Sequence, residues 1–185
     1  MARLCVVTGA PGAGKTALAE ELRTYPFAAV DFDELLEPDG SVLGIDIASP
    51  AASSAWPAYN RLWLRITALL LRGGGPVLVV CPLTPDEWAD AGKGVAGLPE
   101  ADWARLDCSD ADRRARLTAR GWAADEIAEA VADAGELRGV VEREFSTTGC
   151  GVRDVGAVVG EWVMGRGRVG VTVGGRGRGE AGGAA

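Results

Sequence analysis

The chain contains no histidine. That absence excludes Ser-His and Cys-His nucleophilic chemistry, and it removes the commonest protein ligand of hydrolytic zinc. Lysine is nearly as scarce: Lys15 and Lys93 are the only two in 185 residues, so a lysine inside a motif carries weight. The four cysteines, Cys5, Cys81, Cys108 and Cys150, stand singly with no CxxC pair. That spacing makes no zinc site. With no charged start leading into an apolar stretch, it points to reduced thiols in a cytoplasmic protein. No apolar run is long enough to span a bilayer, and the longest, Leu62 to Leu71, is broken by Arg65.

What is present is the balance of a globular domain, 48% hydrophobic and 24% charged, with a net charge of −7. The acidity is uneven. Arg166, Arg168, Arg176 and Arg178 lie in a Gly-rich tail whose one acid is Glu180. Setting these aside from 19 basic and 26 acidic residues leaves 15 and 25, a net −10 for positions 1–164. So acidic a body grips a nucleic-acid backbone poorly, and the Arg/Gly tail supports at most a weak, salt-sensitive contact.

Gly9-Ala10-Pro11-Gly12-Ala13-Gly14-Lys15-Thr16 matches G-x-x-x-x-G-K-[ST] at every fixed position. Glycines let backbone N–H groups turn around phosphate oxygens where a side chain would collide. The helix that follows adds its positive dipole end. Lys15 can reach the β- and γ-phosphates of ATP or GTP, and Thr16 can offer its hydroxyl to Mg²⁺.

The surrounding pattern supplies the context this motif needs. Strands are predicted over Arg3–Thr8, Phe27–Val30, Pro76–Val80 and Trp103–Cys108, with a weak fifth near Arg143–Thr147. Helices are predicted over Thr16–Arg23, Trp56–Arg72, from an N-cap at Ser109 to Arg120, over Ala124–Val141 and over Val152–Val163. Asp39 to Ser54 reads as a loop or mobile flap. The alternation predicts an α/β fold: a P-loop NTPase three-layer α/β/α sandwich with a five-stranded parallel sheet and a small helical lid. Residues 1–164 make the domain, and 165–185 are expected to be a disordered Gly/Arg-rich tail.

Asp31 and Asp33 fall just past the carboxyl end of the second strand, where ligands collect in such sheets. If both lay on the strand, both carboxylates would face the nucleotide; a solvated acidic turn capping the next helix is the plainer alternative. Arg116 and Arg120 are four apart, hence on one helix face, with Arg113 and Arg114 a turn earlier. That face binds an anion or exchanges salt bridges with Asp110 and Asp112. Trp56, Tyr59, Asn60, Arg61 and Trp63 open the helix after the flap. Aromatics there can stack on a substrate and Arg61 can hold an anion, although Tyr59 and Trp63 also lie on an ordinary core face. Trp88, Trp103, Trp122 and Trp162 read mainly as packing.

From Arg3 to Val163 the chain resembles the P-loop small-molecule kinases: shikimate kinases, nucleoside monophosphate kinases, chloramphenicol phosphotransferases and, nearest, a group of AAA-type ATPases and kinases. The residues that carry the likeness are the P-loop, Asp31-Phe32-Asp33, Pro82-Leu83-Thr84-Pro85-Asp86-Glu87 and Arg116-Leu117-Thr118-Ala119-Arg120. A last segment, Ser146-Thr147-Thr148 through Trp162, has serine where the pattern has aspartate. The resemblance implies that Asp33 accepts the proton of a substrate hydroxyl and that Asp31 holds a Mg²⁺-bound water. It further implies that Arg116 lies against the nucleotide base and that Arg120 touches the phosphates. The usual acid at the end of the third strand is missing, since Val80-Cys81-Pro82 stands there. Thr16, Asp31 and the phosphates are left to hold the metal, with Asp86 either a substitute or a helix cap.

The expected activity is Mg²⁺-dependent transfer of a nucleoside triphosphate's terminal phosphate to a small hydroxylated molecule. That acceptor is an antibiotic or other natural product, as in self-resistance, or a nucleoside or nucleotide. A nucleotide-binding regulatory ATPase without an acceptor is the alternative.

Overall fold

The structure, a computed structural model, describes residues 3–42, 44–47 and 49–166. Most of the Gly/Arg-rich tail, from residue 167 on, lies outside the described residues.

The five main strands are β1 (Leu4–Thr8), β2 (Ala28–Asp31), β5 (Val77–Cys81), β6 (Ala101–Asp107) and β7 (Glu144–Ser146). They form one parallel sheet in the order β2-β5-β1-β6-β7. β1 sits at its centre, with Thr8 in register with Cys81 on one side and Arg105 on the other. The loop leaving β1 therefore opens at the carboxyl edge of the sheet, where the strand order reverses.

Strand alternation sorts the apolar residues onto two faces. Cys5, Val7, Leu78, Val80, Ala104 and Leu106 pack against α1 (Lys15–Leu22) and α6 (Val152–Val163). Leu4, Val6, Val77, Val79 and Cys81 pack against α2 (Ala52–Leu71) and α3 (Pro85–Gly92). Both faces are covered, which makes the three layers. Close approach of α6 to the turn that follows α1 depends on Gly160, where a Cβ would stand 2.3 Å from the Tyr25 ring. Between β6 and β7 a helix pair, α4 (Asp110–Ala119) and α5 (Ala124–Val140), packs beside the P-loop through Ala10, Ala134 and Leu137.

The structure departs from the sequence reading at five points. Phe32–Leu35 is a turn of 3-10 helix, so Asp33 is not on the strand with Asp31. The predicted flap contains a hairpin of two-residue strands, β3 (Ser41–Val42) and β4 (Ile45–Asp46), and α2 begins a turn early at Ala52. Pro57 lies inside that first stretch of α2, where exposed Ser53 bears the carbonyl that loses its helical donor. Asp86 is not a cap: Thr84 caps α3, accepting from Glu87 N–H at 3.2 Å while Glu87 accepts from Thr84 N–H at 2.8 Å. Trp122 is 38% exposed rather than packed.

Candidate active site

The glycines of the loop serve two physical needs. Gly12 and Gly14 have φ of 80° and 101°, a region that side chains avoid. Gly9 needs space instead, because a Cβ there would meet the Leu106 carbonyl oxygen at 2.8 Å.

The carbonyls of the loop are held from outside. Pro11 O accepts from Arg113, Gly12 O accepts from Arg116 Nη1 at 3.0 Å, and Ala13 O accepts from the Thr147 hydroxyl at 3.0 Å. Cys108 Sγ also lies 3.7 Å from Gly12 O. With its acceptors engaged on this side, the loop has its N–H groups to offer to a phosphate. Thr147 belongs to the turn between β7 and α6. Its hydroxyl and carbonyl accept from Arg116 at 2.9 and 3.0 Å. Ser146, in the place of an aspartate, accepts from Thr148 N–H at 3.3 Å, so it still supports this turn.

Behind this layer lies an ion cluster that no sequence motif announced. Asp107, at the end of β6, accepts from Arg113 at 2.6 Å and from Arg138 Nε at 2.6 Å. Arg113 is fully buried and Asp107 nearly so. Arg138 adds Asp110 at 2.9 Å, and these carboxylates hold its guanidinium further toward the charged form. The arginine face of α4 thus divides. Arg113 and Arg116 brace the P-loop, while Arg114 and Arg120 are exposed. Arg120 closes the helix with its backbone N–H to Leu117 O at 3.0 Å.

Lys15 is half-buried and donates to Gly9 O at 2.6 Å. Burial pushes its ammonium pKa down, and the carboxylates of Asp33 and Asp31 oppose that shift. The structure therefore brings both aspartates within electrostatic reach of the P-loop lysine, by a route other than a shared strand face. Asp31 Oδ1 accepts from Asp33 N–H at 3.1 Å and caps the 3-10 turn. Its Oδ2 is buried without a partner, as is the Thr8 hydroxyl at the end of β1. Burial raises the Asp31 pKa to about 6; the Asp33 N–H lowers it, and the Asp33 charge raises it. Asp33 itself is exposed.

Tyr59 and Trp63 both donate to Phe32 O, the latter at 3.0 Å, which pins the 3-10 turn to α2. Phe32 lies between the two aspartates in the chain, so this bond sets Tyr59 beside the pair. Trp56 is half-buried and meets Tyr59 edge-on at 5.7 Å between ring centroids. Asn60 is half-buried on the same helix. Arg61 lies elsewhere, with its Nη2 3.5 Å from where a Cβ on Gly94 would be. Thr16 is exposed in the first turn of α1.

Mg²⁺ is the ion such a fold implies. Among the described residues no group of three or more acidic or cysteine side chains could enclose a metal by itself. The orphaned Asp31 Oδ2 and the Thr16 hydroxyl fit an ion that arrives with the nucleotide and takes most of its oxygen ligands from phosphates and water. Cys81, where an acid is usual, is buried in the sheet, and burial pushes its thiol up to about 12.

The model of the AAA domain family AAA_18 matches residues 5–135, which include the whole P-loop, the aspartate pair and α4. The chain belongs to that family. No curated protein matches the sequence. Among solved structures, a sugar kinase from Janibacter sp. is similar with a TM-score of 0.60 at 17% identity, over 89% of this chain and 95% of that one. The tunicamycin resistance protein of Deinococcus radiodurans has a TM-score of 0.60 at 19% identity, over 90% and 95%. A gluconokinase from Sinorhizobium meliloti has a TM-score of 0.53 at 19% identity, over 88% and 93%. The fold is that of the P-loop small-molecule kinases, and it implies a nucleotide at the loop. Among the described residues no helix is long and apolar enough to cross a membrane.

Proposed function

We propose that the protein is a cytoplasmic, Mg²⁺-dependent O-phosphotransferase that moves the γ-phosphate of ATP or GTP to a small hydroxylated acceptor, a natural product such as an antibiotic, or a nucleoside. The observation that carries this reading is the aspartate pair at the same edge of the sheet as the P-loop, where Asp31 Oδ1 accepts from Asp33 N–H at 3.1 Å and the Asp33 carboxylate is left exposed. A base beside the γ-phosphate position is what a hydroxyl nucleophile requires.

In this reading the P-loop N–H groups and Lys15 hold the donor phosphates. Asp33 takes the acceptor's proton as its oxygen forms a bond to the γ-phosphorus. The bond from that phosphorus to the β–γ bridging oxygen breaks, and the nucleoside diphosphate leaves with that electron pair. Arg116 stands against the base side, Arg120 closes over the phosphates, and Trp56, Tyr59 and Asn60 contribute to the acceptor side, while Arg61 lies toward the Gly94 turn. Thr16, and through water Asp31, would hold the metal, which would supply neutralisation of the phosphate charge. Mg²⁺ with ATP or GTP and a panel of nucleosides and hydroxylated antibiotics tests this directly. One compound is expected to stimulate nucleotide consumption and gain a phosphate by mass. Nucleotide binding with no product from a broad panel, and no effect of Asp33→Asn, would favour a regulatory ATPase instead.

A further inference from the structure

The two sides of the P-loop differ in charge. On the α4 side stand Arg113, Arg116 and Arg120. On the other side, the chain between Arg23 and Arg61 has no lysine or arginine and carries six acids: Asp31, Asp33, Glu34, Glu37, Asp39 and Asp46. Residues 73–92, which include β5 and α3, have no basic residue either. Of the cations bordering these stretches, Arg23 pairs with Glu34 at 2.8 Å and Lys93 pairs with Asp90 at 2.5 Å. Arg61 lies toward the Gly94 turn, and Arg72 closes α2 ahead of β5, at the opposite edge of the sheet from the P-loop. That leaves Lys15, whose place is with the donor phosphates.

A second observation points the same way. Asp31 is 2% exposed, and its Oδ2 has no partner in the protein. Its other oxygen is fixed by Asp33 N–H, and its charged neighbours are Asp33, Lys15 and Glu34. Even with the metal's water on Asp31 Oδ2, this side of the site presents acceptors of hydrogen bonds and positive charge rather than donors. An anionic group brought here meets carboxylates and loses its water, and neither residues 24–60 nor 73–92 give it a cation, Lys15 and the metal being taken by the donor phosphates. A hydroxyl or an ammonium instead finds acceptors.

We propose that the acceptor bears no negative charge: it is a neutral or cationic polyhydroxylated compound, and sugar acids and nucleoside monophosphates are rejected. This rests on the phosphotransferase reading of the site.

The test uses the full chain with saturating Mg²⁺–ATP or Mg²⁺–GTP and acceptors matched in skeleton but not in charge. Glucose, glucosamine and gluconate make one set, and nucleosides with their 5′-monophosphates make another. Phosphorus NMR identifies the product. Neutral or amino members are expected to exceed their anionic partners by about tenfold or more in kcat/KM. The KM of an amino acceptor should rise with salt while that of its neutral partner stays level. An anionic acceptor turned over as well as its neutral partner overturns the proposal and leaves the enzyme a kinase. Bound nucleotide with no phosphorylated product from either set or from the wider panel of hydroxylated antibiotics removes the phosphotransferase reading, and this inference falls with it.

Discussion

The Arg113 guanidinium stands 2.6 Å from Asp107 Oδ1, out of reach of solvent, and its other terminal nitrogen donates to Pro11 O in the P-loop. A charge pair in that position links the end of β6 to the back of the phosphate cradle. Removing one partner leaves the other charge buried and uncompensated, which costs about 3–5 kcal/mol. Asp107→Ala is therefore expected to lower stability by that amount in urea titrations. Asp102→Ala, which breaks an exposed pair with Arg3, should cost less than about 1 kcal/mol.

Arg116 and Thr147 should reveal themselves in nucleotide affinity before stability. Arg116→Ala frees Gly12 O and Thr147 from a part-exposed contact. The loss of a charged hydrogen bond, worth about 1.5–3 kcal/mol, should weaken nucleotide binding by roughly tenfold to a hundredfold. Calorimetric titration with ATP and GTP measures it. Unchanged affinity would show that the loop holds its shape without this brace.

Gly9→Ala tests space rather than conformation. The new methyl would meet the Leu106 carbonyl at 2.8 Å, and a backbone atom cannot swing away as a side-chain tip can. Overpacking of this kind costs about 1–3 kcal/mol, and nucleotide binding should weaken along with thermal stability. Gly40→Ala, in open space though at a positive φ, should leave nucleotide binding unchanged.

Asp31 makes stability depend on pH with a definite sign. Its folded pKa is raised to about 6 from an ordinary 3.8, so the native state binds the extra proton. The advantage of the neutral form is fully present below pH 4 and is lost as pH rises through 6. Asp31→Asn keeps the neutral shape. It should match wild type in melting temperature near pH 4 and exceed it near pH 8, while losing activity at pH 8. Equal melting temperatures at both pH values would show that Asp31 is not the group that burial disfavours.

The sheet and the phosphate cradle were legible because their signals are local. A fixed-spacing glycine motif and short, wholly apolar runs such as Val77–Cys81 need no distant information. The strands β3 and β4 were missed because two residues are too few for a period to show. The capping box Thr84-x-x-Glu87 was present in the sequence, but Asp86 between them drew the assignment. Asp107 gave no sign. Its partners Arg113 and Arg138 lie 6 and 31 residues on, and the four arginines of α4 look equivalent until the fold buries one and leaves two in water. Asp33 shows why a two-residue spacing does not fix a shared face: it sits on a 3-10 turn that Asp31 caps and Tyr59 and Trp63 pin, rather than on the strand.

The most direct measurement is product formation from a responsive acceptor by wild type and Asp33→Asn at equal nucleotide saturation. Asp33 is exposed, so the substitution should leave melting temperature and nucleotide affinity close to wild type. A base that takes the hydroxyl proton contributes about 10²–10⁴-fold, and kcat should fall by that factor. Product formed at the wild-type rate by Asp33→Asn would contradict the account.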